Sequence, residues 1–230
     1  MSQMRNQWRT RIKICGITRA DDATAAAQAG ADAIGMNFWR GTPRCVDIAR
    51  ARQIAAALPP FVTRVALFVD PTADEVRAVL EAVAVDMLQF HGNEAREFCA
   101  AFARPYLKAV SMRDGVDLLE YVARYGDASG FLFDTFRPGD LPGGTGHTFD
   151  WSRLSPVLRA GLTAPLILSG GLDAGNVGNA IRTVQPWAVD VSSGVEARDA
   201  KGKARKGIKN AARIAAFVKG VRDADERSAG

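Results

Sequence analysis

The 230-residue sequence predicts an α/β protein built as a single closed (β/α)8 barrel, and three observations lead there. Short β-branched apolar runs alternate eight times with alanine-rich amphipathic stretches, at about 29 residues per unit. The strands read as continuous apolar runs, the pattern of a parallel sheet covered by helices. The length is close to the ~250 residues of a TIM barrel, and no Pro/Ser-rich linker divides the chain. A doubly wound sheet is the alternative, because periodicity does not report closure. The expected organisation is a short N-terminal extension over 1–10, the barrel over 11–220 and a polar C-terminal tail over 221–230.

The elements follow in order. RIKIC (11–15) is a strand, and DDATAAAQAG after it is a helix opened by acids and ended by Gly30. ADAIGMNF (31–38) precedes a helix over Asp47–Leu58, which Pro59-Pro60 terminates. VTRVALFV (62–69) leads through Asp70-Pro71-Thr72 into a helix with Val76, Val79, Leu80 and Val83 on one face. DMLQF (86–90) leads through His91-Gly92-Asn93 into a helix containing Phe98 and Phe102. YLKAV (106–110), FLFD (131–134), PLILS (165–169) and AVDVS (188–192) are the remaining strands. Helices near 116–124, 151–160, 175–184 and 208–219 follow them.

Composition removes other classes. No stretch approaches 18 apolar residues, so no membrane-spanning helix is expected. The first residues, MSQMRNQWRTR, lack the apolar core of a signal peptide. Cys15, Cys45 and Cys99 are far apart, and His91 and His147 stand alone. A disulfide framework and a structural metal site are therefore not expected, and a reducing cytoplasm fits. The net charge of +5 resides in residues 198–209, which hold six basic residues and one acid; the rest of the chain balances. A nucleic-acid-binding protein would instead carry a broad basic face with interleaved aromatics. The run reads as a solvated loop between strand 8 and the last helix, with a modest steering effect on an anionic substrate.

A barrel of this kind carries its chemistry at the C-terminal ends of its strands and in the loops that follow. The unusual residues collect there: Cys15, the stretch Asn37 to Arg44, Gln89 and His91, Asp134, Gly170-Gly171 and Ser192-Ser193-Gly194. Glycine-rich segments follow three successive strands, and in these Gly144, Gly146, Gly170, Gly171, Ser192, Ser193 and Gly194 are the candidate phosphate-binding residues. One such segment alone is an ordinary turn. Three together suit backbone N–H groups approaching an anion, hence a small phosphorylated substrate. None has the spacing of a dinucleotide or nucleoside-triphosphate motif.

Cys15 alone reads as a small buried hydrophobe. Asp134 closes an apolar strand, where a carboxylate is costly unless paired or functional, and this favours catalysis. Asp190 either hydrogen-bonds a ligand or anchors a loop. Arg40 and Arg44 flank a Gly-Thr-Pro turn; one of them could grip a carboxylate bidentately, or both could be solvated. His91 could be a general base, but orienting its loop is the favoured reading.

Taken in order, KICGIT (13–18), GADAIGMNF (30–38) with TPR (42–44), VALFVD (65–70), LQFHGNE (88–94), FLFDT (131–135), GGTGHTFDW (143–151), LSGGL (168–172) and VDVSSGVE (189–196) make a specific set. The chain resembles the phosphoribosylanthranilate isomerase family of tryptophan biosynthesis, from about residue 11 to about 215. Thr42 stands in place of a usual serine, and Asn37 and Trp39 where apolar or aromatic residues are commoner. The resemblance implies Cys15 as general base, Asp134 as general acid and Arg44 holding the anthranilate portion. It further implies the phosphate on the glycine-rich ends of strands 7 and 8, with Asp190 beside the ligand. The implied reaction is an Amadori-type rearrangement without metal or cofactor, in a monomer or homodimer. An aminoaldose isomerase of histidine biosynthesis would carry an aspartate where Cys15 stands. An indoleglycerol-phosphate synthase would need a lysine with a glutamate, and Lys108 has no evident carboxylate partner in the sequence.

Overall fold

A computed structural model of the chain describes residues 9–113, 115, 117–135, 150–154, 161–162 and 164–229. Eight parallel strands close on themselves: β1 Arg11–Cys15, β2 Ala33–Asn37, β3 Thr63–Phe68, β4 Met87–Phe90, β5 Tyr106–Ser111, β6 Gly130–Asp134, β7 Leu166–Leu168 and β8 Ala188–Val191. Closure is made by β1, which pairs with β2 on one side and with β8 on the other, setting Lys13 opposite Asp190. The closed barrel is thus borne out, and the open sheet is not.

Strand alternation divides the side chains into two sets. Ile12, Ile14, Ile34, Met36, Ala66, Phe68, Leu88, Phe90, Val110, Phe131, Phe133, Leu168 and Val189 point outward and are buried beneath the helices. Leu107, Ala109, Leu132, Ile167 and Ala188 fill the lumen. The same parity carries Lys13, Cys15, Gly35, Gln89, Asp134, Ser169 and Asp190 on the lumen side, toward the C-terminal mouth. Both faces are apolar over most of their length, which is why the strands read as unbroken runs.

Among the described residues the helices are α1 Ala20–Ala29, α2 Ile48–Ala56, α3 Ala73–Ala82, α4 Arg96–Ala100, α5 Leu118–Arg124, α6 Val177–Val184 and α7 Ala211–Ala229. Their ends follow local chemistry. Gly30 takes φ 98° and returns its N–H to Ala26 and Ala27, a left-handed cap that suits glycine. Thr72 and Glu75 form a reciprocal capping box on α3, and Asp47 and Asp117 cap α2 and α5. Phe102, expected inside α4, lies beyond its end but joins Phe90, Phe98 and Tyr106 in one aromatic cluster. Of the helix expected near 151–160, Trp151–Arg153 is a 3-10 turn and 155–160 lie outside the described residues.

Two expectations are corrected. The segment expected as a polar tail from 221 is helical through Ala229, because the stripe Ile214, Phe217, Val218, Val221 and Ala224 keeps helical spacing and is buried. This end also fastens the start of the barrel: Asp225 accepts hydrogen bonds from Thr10 N at 2.9 Å and Thr10 Oγ1 at 2.6 Å. The basic run expected as a loop forms an antiparallel ribbon of β9 Glu196–Arg198 and β10 Ala204–Lys209. Arg198, Lys201, Lys203, Arg205 and Lys206 are exposed on it, while Lys209 is buried.

Candidate active site

At the C-terminal mouth of the barrel, β1 and β8 place a buried ion pair beside Cys15. Lys13 Nζ donates to Asp190 Oδ1 at 2.8 Å, with both side chains almost wholly withdrawn from solvent. Ser169 Oγ, at the end of β7, reaches the other carboxylate oxygen at 3.4 Å. Across from them on β2, Gly35 leaves space that a side chain would fill: a Cβ there would stand 2.8 Å from Cys15 Sγ and 3.2 Å from Lys13 Nζ. Burial pushes the Cys15 thiol above its ordinary value; Lys13 and Lys209 pull it down and Asp190 pushes it up. Burial also works against the Lys13 ammonium, yet Asp190 and Cys15 more than offset this and raise its pKa.

Asp134 ends β6 and is held from two sides. Thr135 N donates to Oδ1 at 2.8 Å, and His91 Nε2 lies 3.3 Å from Oδ2. His91 Nδ1 in turn faces Gln89 Nε2 at 3.2 Å. With the Gln89 amide nitrogen donating to Nδ1, the imidazole presents Nε2 to Asp134. The sequence favoured His91 as a residue that orients its loop, and it stands beside the Asp134 carboxyl group. Gln89 Oε1 is buried and has no hydrogen-bond partner among the described residues.

The strand 2 loop separates its two arginines: Arg40 is exposed and Arg44 is buried. Arg44 Nε and Nη2 bind Glu196 Oε1 and Oε2 at 2.7 and 3.0 Å, a bidentate pair. Gly207 N donates to Glu196 Oε1 at 2.8 Å, and Lys209 Nζ stands 3.6 Å from the same oxygen. Lys209 also donates to Ser192 O at 2.9 Å and Ser192 Oγ at 3.3 Å. Burial drives the Lys209 pKa down to about 8, against the pull of Glu196. The Glu196 carboxyl, although buried, is held below its ordinary value by Arg44 and Lys209. Gly16, at φ 69°, threads between the two networks; a Cβ there would meet Arg44 Cδ at 2.6 Å and Ser192 Oγ at 3.0 Å.

The glycine-rich strand ends close the mouth. Gly170 and Gly171 have φ of 87° and 64°, successive left-handed residues that glycine adopts without strain. A Cβ on Gly170 would lie 2.2 Å from Thr135 Oγ1, and one on Gly194 would lie 2.0 Å from Leu172 O. The backbone N–H groups of Gly170, Gly171, Ser193 and Gly194 donate no hydrogen bond among the described residues, so they are open to an anion. Gly144 and Gly146 lie outside the described residues.

The mouth therefore brings together Cys15, Arg44, Asp190 and Ser192 through Lys13 and Lys209, with His91, Asp134 and Gly170 adjoining through Ser169. Sequence reading missed Lys13, Glu196 and Lys209. Only Lys13 gave a local signal, standing two residues before Cys15 on the same face of a strand. Lys108 needs correcting. It has a carboxylate partner, Glu94, with Nζ to Oε2 at 2.8 Å, but it stands on the outward face of β5 beneath the helices. No group of three or more His, Cys, Asp or Glu residues with metal-binding geometry occurs among the described residues.

The sequence model of the N-(5'-phosphoribosyl)anthranilate (PRA) isomerase family matches residues 12–220. An N-(5'-phosphoribosyl)anthranilate isomerase of Pseudomonas paraeruginosa is 56% identical over 212 residues, covering 92% of this chain and 95% of the relative. That of Alcanivorax borkumensis is 52% identical with the same coverage. Among solved structures, the phosphoribosylanthranilate isomerase of Thermotoga maritima is similar with a TM-score of 0.82 and 38% identity, over 93% of this chain and 99% of that one. Another structure of such an enzyme, in complex with reduced 1-(o-carboxyphenylamino)-1-deoxyribulose 5-phosphate, has a TM-score of 0.79 and 36% identity over the same shares. With a family model spanning nearly the whole barrel and relatives above half identity, this chain belongs to the N-(5'-phosphoribosyl)anthranilate isomerase family.

Proposed function

We infer that this chain converts N-(5'-phosphoribosyl)anthranilate into 1-(2-carboxyphenylamino)-1-deoxyribulose 5-phosphate, an Amadori-type step of L-tryptophan biosynthesis. The observation that carries the reading is the pairing of a lumen-facing Cys15 with a lumen-facing Asp134 at the mouth of a barrel of this family. A protonated Asp134 gives its proton to the furanose ring oxygen as the C1–O bond breaks. The anthranilate nitrogen lone pair then forms a Schiff base at C1. Cys15, as thiolate, takes the C2 proton and leaves an enolamine. Ketonisation adds a proton at C1 and releases one from the C2 hydroxyl, so no net proton or electron is exchanged. Each of the two groups is expected to supply about 10²–10⁴-fold in rate.

His91 Nε2, 3.3 Å from Asp134 Oδ2, sets the side from which that proton is delivered. Arg44 holds the anthranilate carboxylate while Glu196 braces it, and Asp190 lies beside the ligand. The phosphate is received by the N–H groups of Gly170, Gly171, Ser193 and Gly194 after β7 and β8, with Ser192 beside them and with Gly144 and Gly146 as further candidate phosphate-binding residues. Free cysteines at 15, 45 and 99 fit a reducing compartment, so the cytoplasm is the proposed location. The test is turnover of phosphoribosylanthranilate, followed by the loss of anthranilate fluorescence. Purified, folded protein without turnover would refute the reading.

A further inference from the structure

Cys15 must carry a negative charge to act as a base, yet it stands in a place that opposes charge. Three ionisable groups bear on it: Lys13 from β1 itself, Asp190 from β8 and Lys209 from β10. Arg44, which packs over Gly16 from the strand 2 loop, is engaged by Glu196. From β2 the facing residue is Gly35, in register with Cys15, which contributes no charge and no bulk.

We propose that Lys13 is a positioning residue that holds the negative charge on the Cys15 sulfur, with Asp190 anchoring its ammonium in place. Residues two apart on a strand share a face, so Lys13 and Cys15 both enter the lumen. The space at Gly35 opens directly onto both Cys15 Sγ and Lys13 Nζ, so no side chain from β2 intervenes. The Asp190 bond at 2.8 Å uses one of the three ammonium donors. The same bond prevents the long side chain from leaving the site, which makes the cation a fixed part of it. Asp190 also opposes the thiolate, so the two members of the pair act on Cys15 with opposite sign.

That opposition gives the test, which rests on the reading of Cys15 as base only in its last step. The pH dependence of Cys15 alkylation by iodoacetamide is followed by peptide-resolved mass spectrometry, which separates it from Cys45 and Cys99. Lys13→Met is expected to move the alkylation profile to higher pH and to slow alkylation near pH 8 by at least about tenfold. Lys13→Arg, which keeps the charge, stays closer to wild type. Asp190→Asn moves the profile the other way. The double variant Lys13→Met/Asp190→Asn remains displaced upward relative to Asp190→Asn. This comparison contains no uncompensated buried carboxylate, so it stands even where Lys13→Met alone does not fold. An unmoved profile in Lys13→Met, or a double variant that matches Asp190→Asn, overturns the proposal and leaves Lys13 as the neutraliser of Asp190. The low-pH limb of kcat/KM should shift with the thiol. If alkylation shifts as expected and kcat/KM does not, Lys13 retains its assignment and Cys15 loses its role as base.

Discussion

Glu196→Gln is the most informative single change at the ribbon. The wild-type carboxylate receives Arg44 Nε at 2.7 Å, Arg44 Nη2 at 3.0 Å and Gly207 N at 2.8 Å, with the Lys209 ammonium 3.6 Å away. Glutamine has nearly the same shape but presents one acceptor and no charge, leaving two buried cations without their common anion. Removing one member of a buried pair costs about 3–5 kcal/mol. The retained carbonyl and the readiness of Lys209 to shed its proton, at a pKa already near 8, place the expected loss at the lower end, about 3 kcal/mol. In urea this moves the unfolding midpoint down by roughly 1–3 M. The deficit also depends on pH. Because the folded protein holds the Glu196 carboxyl below its ordinary value, the stabilisation is present above the normal glutamate range and is lost as pH falls through the folded value. Wild type and variant should therefore converge in acid. Arg44, without its brace, should bind substrate less well, raising KM more than it lowers kcat. A stability loss below about 1 kcal/mol at neutral pH, together with an unchanged KM, would refute the view that Glu196 holds Arg44.

Other variants address the chemistry directly. Cys15→Ser and Asp134→Asn should each lower kcat by about 10²–10⁴-fold while leaving substrate affinity comparatively intact, and near-normal turnover in either removes that residue from its role. Arg44→Ala should act mainly on KM, read from initial-rate kinetics; an unchanged KM takes Arg44 out of the binding site. Burial raises the Cys99 thiol to about 12, so its stabilising contribution is complete below the ordinary thiol range and fades as pH rises. The stability gap between wild type and Cys99→Ala should accordingly narrow by about 2 kcal/mol near pH 10.5, measured by urea unfolding.

The strands were legible because both of their faces are buried, which makes each one a continuous apolar run with little ambiguity of length. The same property hid which residues face the lumen. Lys108 sits between Leu107 and Ala109 in a run apolar on both sides, and nothing local says that it points outward. The ion pairs were illegible for another reason: Lys13 and Asp190 are 177 residues apart, and Arg44 and Glu196 are 152 apart. Only closure of the barrel and folding of the ribbon join them. The C-terminal helix was a misjudged weight rather than a missing signal. Val221 and Ala224 continue the stripe of Phe217 and Val218, but the polar residues around them suggested a tail. At the mouth, Cys15, Asp134 and the glycines stood out because each is chemically unusual at the end of an apolar strand.

Burial and charge do not by themselves separate a working ion pair from a scaffolding one, as this barrel illustrates twice. Lys13–Asp190 and Lys108–Glu94 are both buried and both close at 2.8 Å. What differs is how fully their hydrogen bonds are used. Lys108 directs its remaining donors at Gly92 O, 2.7 Å away, and Phe90 O, 3.4 Å away, while Glu94 accepts from Asp70 N and Gly92 N. Apart from Asp70 N in the loop after β3, these bonds close on the backbone at the end of β4 and in the loop that follows it, so they hold the segment that carries His91, 3.3 Å from Asp134. Among the described residues Lys13 donates to no backbone acceptor; beyond Asp190 it faces the Cys15 thiol. Unused capacity beside a reactive group, rather than burial, distinguishes the pair that acts on chemistry from the pair that holds a loop.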